Sequence, residues 1–235
     1  MVLSTEHGFL QPLSLASFLR GWALAGQGQV EEGIVQMRQS LDAYRATGAE
    51  ILRPYYLALL AEACGKAGQA AEGLAAIEEA LALTQESGTR WVEAELYRIK
   101  GELLRQTADG KRQTGGPHPP APSSTGGEYT PAGLLGTSGL STVAPSSEQR
   151  ERIEGRETAI ASEAEACFLQ AISVARGQSA KSWELRAVMS LSRLWQGQGK
   201  QAEARQMLQE IYGWFTEGFD TADLKDAKAL IEALK

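Results

Sequence analysis

The amino-acid sequence predicts an all-α fold, a right-handed α-solenoid of about four helix-turn-helix repeats followed by a C-terminal capping helix. Two observations predict it. Alanine, leucine, glutamine, glutamate and arginine, which are good helix formers, dominate a chain of 235 residues that is 43% hydrophobic, so a sizeable helical core can form. Small residues also recur at a spacing of 40 residues, as expected for repeated helical pairs.

The 40-residue spacing is visible in several columns. Gly21, Ala61 and Gly101 follow one another at this spacing, and so do Gly33 and Gly73. Toward the end of the chain it separates three further pairs: Ala164 and Ala204, Phe168 and Leu208, and Ile172 and Tyr212. A helical pair of this length cannot bury its apolar stripe alone, so the units must stack on one another.

Each unit is predicted to contain two helices joined by a glycine turn. The first unit places its helices at residues 13–26 and 31–46 around Gly28, and the second begins with a helix at 55–66 before Gly68. Apolar residues three and four apart lie on one face of each second helix. These stripes are Ile34, Met37, Leu41 and Tyr44, then Leu74, Ile77, Leu81 and Thr84. Gly48 and Gly88 are expected to end the second helices in a left-handed conformation.

Two columns of small residues indicate where the helices of a pair cross closely, since a bulky side chain there would separate the backbones. One column is Gly21, Ala61, Gly101 and Ser192, and the other is Gly33, Gly73, Ala164 and Ala204. The first column lies in the first helix of each pair and the second column in the second helix.

The third unit is interrupted by an insertion. Residues 1–12 are a lead, and 13–107 hold the first two repeats and the first helix of the third. Residues 108–156 are rich in Gly, Pro and Ser, and such a composition predicts a disordered insertion. Leu134, Leu135 and Leu140 could form a docking segment within it, although slack linker is the favoured interpretation. Residues 157–218 hold the second helix of the third repeat and the fourth repeat.

The C-terminal segment, residues 219–235, is predicted to be one amphipathic capping helix. Thr221 or Asp220 can cap its N-terminus. Its apolar face consists of Leu224, Ala227, Leu230, Ile231 and Leu234. Such a helix would cover the exposed side of the last repeat. No comparable cap precedes residue 13, which fits a module that once followed more protein.

The repeat columns resemble the tetratricopeptide repeat family. Three units carry the pattern: Gly21, Gly28, Gly33, Met37 and Leu41; Ala61, Gly68, Gly73, Ile77 and Leu81; and Ser192, Gly199, Ala204, Leu208 and Tyr212. The period of 40 exceeds the usual 34 of the family, which implies longer helices or connections. The closing proline of the usual pattern is absent. The resemblance implies a module that binds proteins.

A narrower resemblance covers segments distributed over most of the chain. The segments are 20–24, 54–62, 94–98, 164–168, 181–186 and 212–221. Together they are similar to the C-terminal repeat region of bacterial multidomain signalling proteins, adenylate or guanylate cyclase-like proteins and transcriptional-regulator ATPases. The resemblance implies a regulatory arm. Any cyclase or ATPase activity would then belong to upstream domains absent from this chain.

The sequence predicts no catalytic, cofactor or metal site. Cys64 and Cys167 lie far apart in apolar helical stretches and are expected to be buried as small hydrophobic residues. His7 and His118 fall in the lead and the insertion. The Gly65-Lys66 dipeptide lacks the flanking residues of a phosphate-binding loop.

Composition also bounds the surroundings of the chain. A net charge of −6 and a pI of about 5.2 disfavour direct nucleic-acid binding and offer no attraction to anionic membranes. The longest apolar run is too short to cross a bilayer, and the N-terminus is not a signal peptide. A cytoplasmic protein is expected.

The expected partner site is the concave groove lined by the first helices. The groove residues are Phe18, Trp22, Tyr55, Glu62, Lys66, Arg98, Glu102, Arg105, Arg186, Met189 and Arg193. Its occupant is expected to be a protein or peptide, or upstream domains of the same polypeptide. Trp22 could instead pack between units, and the arginines could be solvated. Two alternatives stay open: a small-ligand-sensing arm of a transcriptional activator, and a homodimer formed through the uncapped first unit.

Overall fold

The computed structural model describes residues 10–88, 90–114 and 147–235, and within them it contains α-helices and no strand. The helices in chain order are α1 (Leu10–Gly26), α2 (Val30–Ala46), α3 (Arg53–Lys66), α4 (Ala70–Ser87), α5 (Glu93–Thr114), α6 (Ser147–Gly177), α7 (Lys181–Gly197), α8 (Gln201–Tyr212) and α9 (Ala222–Ala233). The predicted all-α repeat solenoid is confirmed.

The helices pack as four consecutive pairs, α1 with α2, α3 with α4, α5 with α6 and α7 with α8. The first helices of successive pairs also contact one another in series, α1 with α3, α3 with α5 and α5 with α7. In the described part of the chain, no such contact joins one second helix to the next. The first helices therefore form a closely packed inner layer, and the second helices form a spread outer layer.

Glycine turns connect the helices as the sequence predicts. Gly28, Gly68 and Gly199 have φ values of 93°, 72° and 80°, and this left-handed region is open to glycine at little steric cost. Between pairs, Gly88 takes the same role with φ of 68°. Ser179 stands at the corresponding turn after α6, with φ of 56°, where its side chain makes the conformation unfavourable.

The two small-residue columns meet at the crossings of the first, second and fourth pairs, whereas in the third pair Gly101 lies against the Phe168 ring. A Cβ atom placed on Gly21 would lie 2.8 Å from the carbonyl oxygen of Gly33, and one on Gly73 would lie 3.1 Å from the carbonyl oxygen of Ala61. In the last pair, the Ser192 hydroxyl donates to a carbonyl of α8 at 3.3 Å. The prediction of close crossings is confirmed, and it explains why bulkier residues are absent from these positions.

The helices beside the insertion are longer than predicted. Residues 108–114 continue α5, and residues 147–156 begin α6, so disorder is the wrong prediction for both segments. Lys, Arg, Gln and Glu dominate these stretches, and such residues favour helix without needing a core to pack against. Residues 115–146, including the predicted docking segment around Leu134, Leu135 and Leu140, lie outside the described residues.

Both ends of the described fold differ slightly from the prediction. Helix α1 begins at Leu10 rather than at residue 13. Helix α9 packs on α7 and α8 and buries Leu224, Ala227 and Leu230, as a capping helix should. Thr221 occupies the N-cap position, but its hydroxyl donates to the Gly218 carbonyl instead of capping the helix.

Candidate interaction surface

The solvent-facing stripe of the inner layer forms the candidate surface, which we call the inner face. On α3 the stripe runs through Tyr55, Leu59, Glu62 and Lys66, and all other residues of that helix except Gly65 are buried. The corresponding positions on α5 and α7 include Arg98, Glu102, Arg186 and Arg193. Because successive first helices touch, these residues form one continuous surface across three repeats.

Two predicted groove residues belong to the core instead. Phe18 is 1% exposed and packs on Tyr56 with ring centroids 4.6 Å apart. Met189 is 5% exposed within the cluster that joins the last two pairs. In each case the next helix covers the position, so neither side chain can contact a partner in this arrangement.

Trp22 contributes an open apolar surface near the first pair. It is 44% exposed, so it does not lie wholly between units. Leu19, on the preceding turn of α1, is also exposed. Together they give the first-pair end of the inner face an aromatic and aliphatic character.

An ion-pair network organises the middle of the inner face. The Glu95 carboxylate accepts two hydrogen bonds from Arg98, both at 2.8 Å. It also forms an ion pair with Arg186 of α7, at 2.9 Å. Burial would raise the pKa of Glu95, but Arg98 and Arg186 outweigh burial and hold that pKa below its usual value. The carboxylate therefore stays ionised and ties α5 to α7.

Shorter-range pairs complete this network along the first helices. Lys66 lies 3.5 Å from Glu62 on α3, and Arg105 donates to Glu102 on α5 at 3.1 Å. The network fixes the directions of side chains that would otherwise move freely. A surface ordered in this way loses less side-chain entropy when it binds a partner.

Two predicted arginines, Arg105 of α5 and Arg193 of α7, converge on one pocket. Arg105 and Arg193 line a pocket of about 140 Å³ together with Ala108, Ala161 and Leu194. Guanidinium groups present planar hydrogen-bond donors that match carboxylates. This pocket can receive an acidic side chain or a chain terminus from a bound segment.

A row of aromatic rings was missed by the sequence interpretation. The Trp91 ring lies 5.5 Å from Tyr55 and stacks on Trp183 at 6.2 Å with 25° between the planes. Each ring comes from the beginning of a successive first helix, and Trp91 is 41% exposed. The sequence feature that could have indicated this row is that Trp91 lies just before the start of α5 and Trp183 lies in the first turn of α7.

A separate cleft lies between α1 and α2, and no residue of α3 lines it. It has a volume of about 540 Å³ and is lined by Leu13, Ser17, Arg20, Gln36 and Gln39 among others. Pockets of this size can hold a small organic molecule. The cleft does not include the predicted groove residues.

The described residues contain no cluster suited to metal binding. No group of three or more His, Cys, Asp or Glu side chains among them could hold a metal ion. Cys64 and Cys167 are buried free thiols, as predicted, and burial raises the pKa of each. His7 and His118 lie outside the described residues. None of the described helices combines the length and apolar character needed to cross a membrane.

Comparisons with known proteins add a limited likeness. No protein-family model and no curated protein matches the chain. Among solved structures, the chain is similar to two crystal structures of the nearly identical TPR-like repeats of a putative kinesin light chain from Podosopora anserina, one of them a single-residue variant of the other. For both, the identity is 16%, the TM-score is 0.35, and the match covers 84% of this chain and 92% of the other.

Proposed function

We propose that this chain is a protein-interaction and regulatory module whose inner face binds a segment of another protein or an upstream domain of the same polypeptide. The observation that carries the proposal is the continuous, ordered and partly exposed inner face across α3, α5 and α7. It combines arginines with aromatic rings, the residue types that dominate binding energy at protein interfaces. No enzymatic activity is assigned to the chain.

The wider context is proposed from the sequence resemblance alone. We assign the module to the C-terminal arm of a bacterial signalling protein that acts in the cytoplasm. An antibody against this chain, used on an extract of the source cells, tests the assignment. A band several times larger than 25.3 kDa supports it, and a band near that mass means a free-standing adaptor.

A small-ligand-sensing arm is the second candidate, and the cleft between α1 and α2 favours it. A saturable thermal shift with a small molecule, abolished by Ser17→Trp in the cleft, would support this candidate. A shift seen only with peptides supports protein binding.

A homodimer through the first pair is tested by light scattering after gel filtration.

Peptide selection tests the main proposal. The full chain, immobilised, is used to enrich 12-residue peptides from a displayed random library, and the affinity of enriched peptides is then measured by fluorescence polarisation. We expect saturable binding that Arg105→Gln with Arg193→Gln weakens. The matched control, Lys225→Gln with Lys228→Gln on α9, removes the same charge and leaves binding unchanged.

Two outcomes would contradict the proposal. One is a failure to enrich any peptide that binds saturably. The other is enrichment of peptides whose affinity does not respond to substitutions anywhere on the inner face. Circular dichroism of each variant confirms that the helices are retained, so that a loss of affinity reports on the surface.

A further inference from the structure

The row of aromatic rings lies among an unusual arrangement of charges. Three carboxylates at the start of α5 and α7, from Glu93, Glu95 and Glu184, are buried. Apart from Arg98, the cations that pair with them are partly or largely open to solvent. These cations are Arg90, Arg98, Arg176, Lys181 and Arg186. Within these ion pairs, five cations meet three carboxylates, a surplus of two positive charges on a chain whose net charge is −6. Glu62 and Glu102 of the inner face also interact with Arg98, so the surplus lies mainly with the other four cations.

Glu184 shows how the arrangement works. Its side chain is 4% exposed and accepts from Arg176 Nε and Lys181 Nζ, both at 2.6 Å. The Arg176 side chain is 55% exposed. The negative charge therefore lies inside while the positive charges face water, so an approaching molecule meets cations first. Burial would raise the pKa of Glu184, yet the two cations keep that pKa below its usual value.

The same pattern is present at the start of α5. The Arg90 side chain is 67% exposed and donates to the buried Glu93 carboxylate from Nε at 2.7 Å and from an Nη atom at 3.2 Å. Gln178, in the turn before α7, donates to the Arg90 carbonyl at 2.6 Å. The beginnings of α5 and α7 are thus joined. The cations are held in position before any partner arrives.

The cation at the beginning of α3, Arg53, does not face the aromatic rings. The Arg53 guanidinium pairs with Glu50 and with Glu79 of α4, so it faces the outer layer. At the opposite end of the ring row, Lys181 Nζ lies 5.8 Å from the centre of the exposed Trp214 ring. Trp214 therefore lies beside Lys181, close to the beginning of α7.

We define the aromatic rim as Tyr55, Trp91, Trp183 and Trp214 with the cations Arg90, Arg176, Lys181 and Arg186. The rings from Tyr55 to Trp183 follow one another over roughly 12 Å, the length of about four residues of extended chain. We propose that the rim is the docking site for an acidic segment of a partner protein that carries an aromatic or long aliphatic side chain. The inference rests on the proposed function.

The partner chemistry follows from complementarity. The exposed parts of Trp91 and Trp214, with the half-buried Tyr55 and Trp183 rings, offer apolar contact to an aromatic or aliphatic side chain. Because cations already surround the rings, a basic segment is repelled and an acidic segment is attracted. The positions of the cations are fixed by buried carboxylates, which reduces the entropy lost on binding.

Three synthetic 12-residue peptides labelled with fluorescein test the inference on the full chain by fluorescence polarisation. The first alternates glutamate with phenylalanine and leucine, the second has glutamine for every glutamate, and the third has alanine for every apolar residue. We expect only the first to bind, with a dissociation constant of roughly 10–100 µM.

Two sets of substitutions localise the binding. Arg176→Gln with Arg186→Gln removes the surplus charge, while Glu184 keeps Lys181 and Glu95 keeps Arg98, so no buried carboxylate is left without a cation. This variant is expected to weaken binding of the first peptide by about five- to tenfold. Trp91→Ala is expected to weaken it by about tenfold or more. Lys225→Gln with Lys228→Gln is the charge-matched control and leaves the affinity unchanged.

Several outcomes would overturn the inference. If the glutamine peptide binds as tightly as the glutamate peptide, charge does not contribute to binding. If both rim variants bind the first peptide with unchanged affinity, the rim is not the binding site. Tighter binding of a labelled 12-nucleotide thymidine oligomer than of the acidic peptide would mean a nucleic-acid surface instead. If library peptides bind and respond only to Arg105→Gln with Arg193→Gln, the proposed function survives and the rim inference fails. If no library peptide binds at all, the proposed function itself fails.

Discussion

The crossing of α1 and α2 gives the sharpest test of the packing, through the substitution Gly33→Ala. A Cβ atom at residue 33 would lie 2.5 Å from the carbonyl oxygen of Gly21, 2.8 Å from the amide nitrogen of Ala25 and 2.9 Å from its Cβ atom. Ordinary carbon–oxygen contacts are roughly 3.3 Å or longer. All three neighbours are backbone or attached directly to it, so the helices must separate.

The expected free-energy change combines two opposing effects. Overpacking of this kind destabilises by about 1–3 kcal/mol, and the rigid neighbours place Gly33→Ala in the upper part of that range. Replacing glycine with alanine in a helix interior stabilises by about 1 kcal/mol. We therefore expect a net destabilisation of about 1–2 kcal/mol.

Gly155→Ala is the matched control. Nothing lies within 4 Å of a Cβ atom at residue 155, which is in the exposed first part of α6. Here only the helix preference acts, so the variant should be more stable than the wild type by up to about 1 kcal/mol. The stabilisation also requires that α6 begins before residue 155.

Urea unfolding followed by circular dichroism at 222 nm measures both variants. Hydrogen exchange with mass spectrometry then locates the loss of stability. Faster exchange should be concentrated in α1 and α2, because each repeat contacts mainly its neighbours. If Gly33→Ala equals or exceeds the wild type in stability while Gly155→Ala behaves as expected, the close crossing is refuted.

Three further predictions concern single residues. Ser179→Gly should stabilise the protein by about 0.5–1 kcal/mol in urea unfolding, since φ of 56° disfavours a side chain, and a loss of stability would contradict the turn conformation. Glu184 has a folded-state pKa below its ordinary value of 4.5, so its stabilising effect is present at neutral pH and lost as the pH falls below 4.5 through the lowered value. The drop in melting temperature between pH 6 and pH 3 should therefore be smaller in Glu184→Gln than in wild type, and an equal drop would contradict the pairing. Leu208→Ala, at a fully buried site, should destabilise by about 2–5 kcal/mol, whereas Leu169→Ala, at an exposed site, should change stability by less than about 0.5 kcal/mol, and similar effects in the two would contradict the burial pattern.

The pairing of helices could be predicted because small residues recur at a constant spacing along the sequence. Gly21 and Gly33 carry no side chain to hold helices apart, and the same two positions are small in each later unit. A spacing that recurs in this way reports on packing between helices, because small side chains at a crossing allow the backbones to approach closely. The turn glycines were predictable for the related reason that few other residues accept a positive φ.

Helix ends beside the insertion were less predictable. Lys111, Arg112 and Gln113 extend α5 past the last apolar residue of its packed face. The apolar pattern indicates only the buried part of a helix, so the pattern ends where burial ends. The helix itself continues as far as local propensity allows, which in a charged stretch can be several residues further.

The candidate surface was predicted in part. The inner-face positions of Glu62, Glu102 and Arg193 follow from the repeat register, because each occupies the same place in its unit. Phe18 and Met189 were placed wrongly, since burial of a helix position depends on how closely the next unit covers it. Register says nothing about that distance.

The aromatic rim could not be found from register. Trp91 corresponds to Ile51 one unit earlier, whereas Trp183 corresponds to Val92, so the two tryptophans do not share a column. They become neighbours because successive first helices stack with a small offset. Only the packed arrangement brings such residues together.

Photo-cross-linking with an enriched library peptide tests the central claim most directly. The peptide carries benzoylphenylalanine in place of one apolar residue, is bound to the full chain and irradiated, and the linked residues are identified by mass spectrometry. We predict cross-links to the inner face of α3, α5 and α7, including Tyr55, Arg98 or Arg186. Cross-links confined to the outer helices α2, α4, α6 and α8 would contradict the claim that the inner face is the binding surface.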